Sequence, residues 1–384
     1  MAKAHKVVFY PVGNGDTSQV ITTEGRRLLF DYRHCAKGED SDEPEIDLAS
    51  RLRSELKGSG KNYFDVVAFT HGDLDHIQGS TDFFHLEHDK KKQGGDRKFA
   101  KEMWFPAAML LVEPEDNPER EEYVLCLEAR HRLLEGKGIL VFSRPKVLID
   151  WLEKELKKKG LASDARDHLF IDAGQLVPGF SLVQDALEVF CHSPFIKHCG
   201  DGEDIVRNDA SLIFNVRMQI GSDLYDYLEV GDSTWEVLEE IVETTKKHDN
   251  MDRLAWDIFN IPHHCSYKAL SDEKGEKKTT PKPGVEKILL GGKPGSYIVS
   301  SSRPIPDIKE AYKQEQPPHI QARNTYEEYV KKVDGNDFLV TGEEPRANAP
   351  EPIEFEITSQ GLSLKSAAVA GAAAIVRSVA PRAG

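Results

Sequence analysis

A chain of 384 residues with 39% hydrophobic and 30% charged residues describes a soluble globular protein that can bury a sizeable core as one large domain or two ordinary ones. Its net charge of −15 argues against a protein that coats nucleic acid non-specifically, because such binding draws on an excess of Lys and Arg; a nuclease with a local basic patch and bound cations stays open. Five cysteines without a CxxC pair suit reduced thiols rather than a disulfide framework or a zinc ribbon. The opening "MAKAHKVVFYPVGNGD" has no apolar core of signal-peptide length and no stretch approaches a membrane span, so a cytoplasmic location with no membrane partner is expected.

In chain order, "KVVFYPVG" (6–13), "SQVITTE" (18–24) and "RRLLFDYR" (26–33) are short strand-like runs separated by turn residues, which predicts antiparallel structure at the start. "IDLASRLRSELKGSG" places Ile46, Leu48, Leu52 and Leu56 at helical spacing and stops at Gly58. "YFDVVAFT" is a buried strand, and "HGDLDH" (71–76) follows it as the entry to a helix over "IQGSTDFFHL". The stretch 113–168, rich in Glu, Lys, Leu and Arg, reads as a helical insertion. Basic clusters at 88–101, 154–160 and 273–284 are solvated faces unless one of them serves an extended anion.

Strands return at "ALEVFCHSP" (186–194), "ASLIFNVRM" (210–218) and "YDYLEVGD" (225–232), followed by a helix from "STWEVLEEIVETTKKH" capped by Ser233 or Thr234. "WDIFNIPHH" (256–264) and "GSYIVSSS" (295–302) are further strands, "NTYEEYVKKV" is a helix, and "DFLVTG" with "IEFEITSQGLSLK" closes the fold. One domain over 1–365 is expected, with an Ala-rich tail at 366–384.

Polar, metal-competent groups recur at strand ends, where α/β folds build sites. His71 and Asp73, at alternate positions of an extended loop, can serve one cation, while Asp75 and His76 turn toward a second. Imidazole with carboxylate suits zinc, iron or manganese, and Asp232 has two oxygens with which to bridge two ions. Two cations about 3.5–4 Å apart can share a hydroxide that is nucleophilic near neutral pH. His264, beside His263, is a candidate to orient its neighbour or touch substrate.

The motif His71-Gly72-Asp73-Leu74-Asp75-His76 resembles the HxDxDH signature of the metallo-β-lactamase superfamily. "VGNGDTSQVI", "LLFDYR", "NDASLIFNV", "LEVGDS" and "IPHHCSYKAL" are similar, in order, to segments of the soluble metallo-hydrolase domain of ComEC-type competence proteins, over most of residues 5 to 365. The resemblance implies a four-layer αββα sandwich with a dinuclear centre of zinc or manganese. In it His71 and Asp73 bind the first ion, Asp75 and His76 the second, Asp232 bridges, His263 completes the second site and Asp16 supports from behind. The histidine that many members carry before the "ASLIF"-type strand is absent; Arg207, Asn208 and Asp209 stand there, with Asn208 or Asp209 as candidate substitutes. His319 falls where related sequences carry a late histidine and is a candidate to protonate a leaving group or contact a phosphate.

The leading expectation is a metal-dependent phosphodiesterase or nuclease using a metal-bridging hydroxide on a nucleic acid or nucleotide. Hydrolysis of a small ester, thioester or lactam is the alternative within the enzyme class. An interaction protein that keeps the fold without catalysis, its insertion or tail serving a protein partner, is the third; retention of six expected ligand positions weighs against it.

Overall fold

The computed structural model describes residues 4–40, 43–114, 117–200 and 206–365; the Ala-rich tail falls outside the described residues. Strands β1 (His5–Phe9), β2 (Ser18–Ile21) and β3 (Arg27–Phe30) form an antiparallel meander. Helix α1 (Leu48–Gly58) begins where the Asp47 side chain accepts the Ser50 N–H, and it buries Leu48, Leu52 and Leu56 from one face.

Strand β4 (Tyr63–Ala68) joins β3 in parallel, and two single-turn helices, α2 (Leu74–Ile77) and α3 (Ser80–Phe83), follow it. The continuous helix expected there is broken at Gly79, whose φ of 80° is left-handed and ends the first turn. Asp75 and His76 therefore sit inside α2 rather than at the mouth of a longer helix.

Strands β5 (Phe99–Pro106), β6 (Ile139–Phe142) and β7 (Phe170–Ile171) continue the sheet in parallel, with α4 (Glu121–Glu135) and α5 (Lys146–Lys158) as crossovers. The stretch 113–168 thus carries its two helices around a strand and extends the sheet as alternating α and β. The strand is the four-residue run "ILVF", buried at every position and set between Gly138 and Ser143. Such short apolar runs are strands buried on both faces.

After α6 (Leu182–Asp185) comes a second sheet. In it β8 (Leu187–Ser193), β9 (Ile213–Ile220) and β10 (Asp223–Val230) are antiparallel. Next, α7 (Trp235–Lys247), β11 (Trp256–Asn260), α8 (Pro283–Leu289), β12 (Gly292–Ser300), α9 (Ile320–Lys332) and β13 (Asp337–Val340) alternate, their strands parallel to β10. The hairpin of β14 (Ile353–Thr358) and β15 (Gly361–Lys365) returns to the first sheet, where β14 pairs with β1. Thr234 occupies the N-cap position of α7, but its hydroxyl is given to Asp209.

Three apolar clusters define the layers. Helices α1, α4 and α5 pack on the outer face of the first sheet through Leu52, Leu125, Leu133 and Leu152; α7, α8 and α9 cover the second through Ile241, Ile288 and Tyr326. Between the sheets lie Val7, Phe30, Trp104, Phe142, Phe214, Tyr227 and Ile258. This is the four-layer αββα sandwich expected from the sequence. Because β3 and β4 run parallel in one sheet and β10, β11 and β12 in the other, their C-terminal ends carry the polar loops that build the site.

Phe214 from the second sheet meets Phe30, Trp104 and Phe142 of the first at ring-centroid distances of 6.1, 5.4 and 5.2 Å. Phe214→Ala removes the group that keys the two sheets together. It is expected to cost about 3–5 kcal/mol, read as a lower urea midpoint at unchanged m-value.

Candidate metal centre

Asp31 follows β3 with a φ of 56°, left-handed for a non-glycine residue, and its N–H donates to Ala68 O of the neighbouring strand. Its buried carboxylate accepts the Thr70 N–H at 2.7 Å, the Thr70 hydroxyl at 2.6 Å and His76 Nδ1–H at 2.6 Å. Three donors on one carboxylate lock the loop after β4 and leave His76 Nε2 aimed at the centre, 3.0 Å from Asp232 Oδ1.

His264 and His71 are also held through Nδ1, whereas the buried Nδ1 of His263 has no hydrogen-bond partner. His264 donates Nδ1–H to Ser301 O at 2.9 Å and presents Nε2 to Asp75 Oδ2 at 3.2 Å and Asp232 Oδ1 at 3.6 Å. His71 Nδ1 lies 3.1 Å from the Thr70 hydroxyl, and its buried Nε2 has no hydrogen-bond partner, facing Asp73 Oδ2 at 3.7 Å and Asp232 Oδ2 at 3.9 Å. His263 Nε2 lies 3.8 Å from Asp232 Oδ2.

Asp232 therefore sorts the ligands with its two oxygens. His76 and His264 stand on the Oδ1 side, His71 and His263 on the Oδ2 side. Asp73 flanks the second set and Asp75 reaches His264, while an Asp75 oxygen also lies within 4.8 Å of ligand atoms of His71 and His76. Asp16, His76, Asp232 and His264 form a second such group. Asp16 is buried, its Oδ2 is without a hydrogen-bond partner, and its Oδ1 accepts from Asn260 at 3.3 Å. Orphaned, buried lone pairs of His71 and Asp16 converging with imidazoles and carboxylates fit a divalent cation well.

The resemblance gave His263 to the second ion and left His264 as an accessory. Buried His264 lies with Asp16, His76 and Asp232 and reaches Asp75, whereas His263 approaches Asp232 Oδ2 and, like Asp73, belongs to neither ligand group among the described residues. The difference between the two neighbours is local. His263, His264 and Cys265 are consecutive left-handed residues, at φ of 54°, 50° and 66°, so adjacent imidazoles leave the chain in different directions, with ring planes 89° apart. Left-handed backbone costs roughly 1–2 kcal/mol per non-glycine residue, which marks the turn as functional.

His319 belongs to neither ligand group among the described residues. Its buried ring accepts the Tyr267 N–H at Nδ1 and donates from Nε2 to Glu315 O, and burial lowers its pKa to about 4. Asp209 accepts from Thr234 at 3.2 Å and belongs to neither ligand group among the described residues. Asn208 contributes its backbone carbonyl to Ser211 N–H. Arg207 donates to Asp73 Oδ1 at 2.9 Å.

Several contributors escaped sequence reasoning. Asp31 stands directly after an apolar strand run, the signal that marked Asp232, and could have been found by it. Glu121 and Glu122, at the start of α4, gave no signal: Glu121 accepts the Gly79 N–H at 2.8 Å, and Glu122 lies where a Cβ on Gly72 would meet it at 2.6 Å. Gly15 serves a similar close approach, since a Cβ there would lie 2.6 Å from Asp75 O.

Burial disfavours charge on every one of these groups, but their mutual attraction wins for some. Burial opposes protonation of His76, yet Asp232 and Asp31 hold it well above its usual value; His264, likewise buried, is raised to about 9 by Asp232 and Asp75. Asp232 is held well below the carboxylate range by His264 and His76 despite its burial. His71 is lowered to about 4 by burial and by the charge on His76.

No family model matches the chain, and no curated protein matches it. Among solved structures, unliganded yeast PDE1 is similar at 10% identity and a TM-score of 0.44, over 88% of this chain and 98% of its own. A diphosphatase from the PhnP family is similar at 10% identity and a TM-score of 0.32, over 93% and 100%. A quorum-quenching N-acyl homoserine lactone lactonase is similar at 10% identity and a TM-score of 0.31, over 65% and 91%.

Asp232 raises the pKa of both His76 and His264, so a cation bound between them would compete with protons. Calorimetric titration with zinc at pH 7 in buffers of different ionisation enthalpy is expected to show release of about one to two protons, with affinity rising toward pH 9. Stability runs the other way. The contribution of His264, whose folded pKa is raised, is full below pH 6.5 and lost as pH rises through about 9, so the melting temperature of the metal-free protein falls across that interval.

Proposed function

We propose that the chain is a dinuclear metal-dependent hydrolase of the metallo-β-lactamase type that cleaves a phosphodiester, in a nucleic acid or nucleotide. The observation that carries this reading is the division of the ligands between the two oxygens of Asp232. His71, Asp73 and His263 would hold one ion with Oδ2; His76, Asp75 and His264 would hold the other with Oδ1, with Asp16 behind it. Divalent zinc or manganese in such a set supplies Lewis-acid charge and brings the pKa of water close to neutrality.

The residues of the chain do the rest. Asp31, Thr70 and Ser301 hold the rings of His76, His71 and His264 with Nε2 inward, so the geometry of these three is prepared before any substrate arrives. A cleft of about 180 Å³ opens beside His71 and is lined by Arg120 and Arg207 together with Glu113 and Glu122, so its support for an anionic substrate comes from the guanidinium groups and not from its net charge. Its wall of Met109, Leu111 and Val112 suits an apolar group and favours, as a second reading, a small ester or lactone. The similarity to ComEC-type domains rests on the order of motifs alone and does not fix a substrate. A cytoplasmic setting is kept as part of the same reading on the ground that none of the five cysteines forms a disulfide.

Elemental analysis after zinc or manganese supplementation is expected to find about two ions per chain, falling in Asp232→Asn, which also lowers hydrolysis of bis-p-nitrophenyl phosphate by roughly a hundredfold or more. His319→Gln is expected to keep turnover within about threefold, since its partners are backbone groups. A chain that takes up no metal, or a wild type that hydrolyses p-nitrophenyl acetate but no phosphodiester, would overturn the phosphodiesterase assignment.

Loss of the ligand-orienting carboxylate has its own signature. Asp31→Asn is expected to weaken metal binding by about 10–100-fold without removing a ligand, read by competition with a chromogenic chelator.

A further inference from the structure

A second cavity, of about 270 Å³, lies at the edge of the second sheet, and none of the candidate metal ligands lines it. The outermost strand, β8, reaches it through Phe190 and His192, the last turns of α7 through Thr244 and Thr245, and the turn after β7 through Gly174. Those threonines stand about ten residues beyond Thr234, so the cavity lies roughly 15 Å along α7 from the end beside Asp232. The backbone of the strand edge is already paired there. Gly174 N–H donates to Cys191 O at 2.7 Å, Cys191 N–H to Gln175 O at 2.9 Å and Val177 N–H to Val189 O at 2.8 Å. The cavity is therefore a place for recognition by side chains and not for an added strand.

His192 gives it a specific chemistry. The residue is 3% exposed, its ring lies edge to face with Phe190 at 4.9 Å, and its Nε2–H donates to Arg253 O at 3.0 Å. Burial lowers its pKa to about 4, so the ring is neutral and the Arg253 carbonyl fixes its tautomer. The remaining polar atom of the ring is Nδ1, a lone pair, and a buried acceptor on a cavity wall is satisfied by a donor from the occupant. The other polar side chains of the wall are Thr244, Thr245, His248 and Asn250; the backbone N–H groups of the last two are bonded within the chain, to Thr244 O and Thr245 O. Phe195 and Ile241 add apolar surface to that of Phe190.

No lysine, arginine, aspartate or glutamate lines the cavity among the described residues. Arg253, behind His192, is paired with Glu188 at 2.7 Å and lies 3.7 Å from Asp252. An ion entering this wall would lose water without gaining a counter-charge, which selects a neutral occupant. The aromatic surface favours a flat ring, and the polar side chains favour one with donors and acceptors on its edge. A purine-type base has both, and bases are bound in this way, against aromatic side chains with hydrogen bonds to their edges.

We propose that this cavity binds a neutral purine-type base, which donates an N–H to His192 Nδ1 and rests its ring on Phe190 and Phe195. The site is separate from the metal centre and stands whether or not the chain hydrolyses a phosphodiester.

The test is calorimetry of adenine, adenosine and AMP on the full chain, with quinoline as a bicyclic probe that has an acceptor and no donor. Adenine is expected to bind wild type with a Kd of about 1 mM or tighter, and quinoline about tenfold more weakly. His192→Gln can keep the bond to Arg253 O but has no acceptor in place of Nδ1, and it is expected to bind adenine about tenfold more weakly. Thr244→Trp, at a half-buried position of the wall, is expected to abolish binding at an unchanged melting temperature. It also carries the test, with the quinoline comparison, if His192→Gln does not fold. Adenosine binding as well as adenine would show that the base alone is recognised. An AMP affinity about tenfold above that of adenosine, lost in Thr244→Trp, would show a phosphate in the cavity and overturn the neutral-ligand assignment. Absence of adenine binding to wild type, equal binding of quinoline, or unchanged adenine affinity in His192→Gln or Thr244→Trp would overturn the proposal.

Discussion

The centre depends on one buried carboxylate that need not touch a cation at all. Asp31 satisfies itself with the Thr70 N–H, the Thr70 hydroxyl and His76 Nδ1–H, and a buried charge so fully bonded is costly to disturb. Those three bonds decide where the chain goes after β4 and which nitrogen of His76 faces inward. Thr70 then ties the first sheet to the second: its carbonyl accepts the Leu212 N–H at 2.9 Å, and a Cβ on Gly231 would lie 2.9 Å from Thr70 Cβ. Asp232, the next residue after Gly231, is thereby placed against His76. The seam between the sheets and the geometry of the ligands are one construction.

That construction stores electrostatic tension. Asp16 and Asp232 share a buried space with His76 and His264, and Glu229 behind them is pushed well above its usual pKa by burial and by Asp16 and Asp31. The raised pKa values of His76 and His264 ease that repulsion by favouring protons there, and the same cluster suits a divalent cation that would take their place. A purely structural cluster would be better served by apolar residues of equal volume, which cost nothing to desolvate.

Much of this was legible in the sequence because alternation and strand ends are local properties. The His71 to His76 motif, Asp232 and the histidine pair each follow an apolar run, and the structure collects them at one edge. What was not legible depends on backbone sign or on distant partners. Whether His263 or His264 turns inward is set by three positive φ angles that no side-chain pattern announces. The strand Ile139–Phe142 was hidden by its length, four residues between two charged helices. Glu121 and Glu122 reach the motif from α4 across more than forty residues of chain, and the Arg207–Asp73 contact spans 134 positions.

Burial is shared unevenly around Asp232. His71, His76, His264 and Asp16 are 1%, 0%, 2% and 2% exposed, whereas the side chains of His263, Asp73 and Asp75 are 22%, 33% and 37% exposed. Each oxygen of Asp232 therefore faces buried imidazole with a half-exposed carboxylate nearby, so the imidazoles are positioned by folding itself while the two flanking carboxylates stay in reach of water.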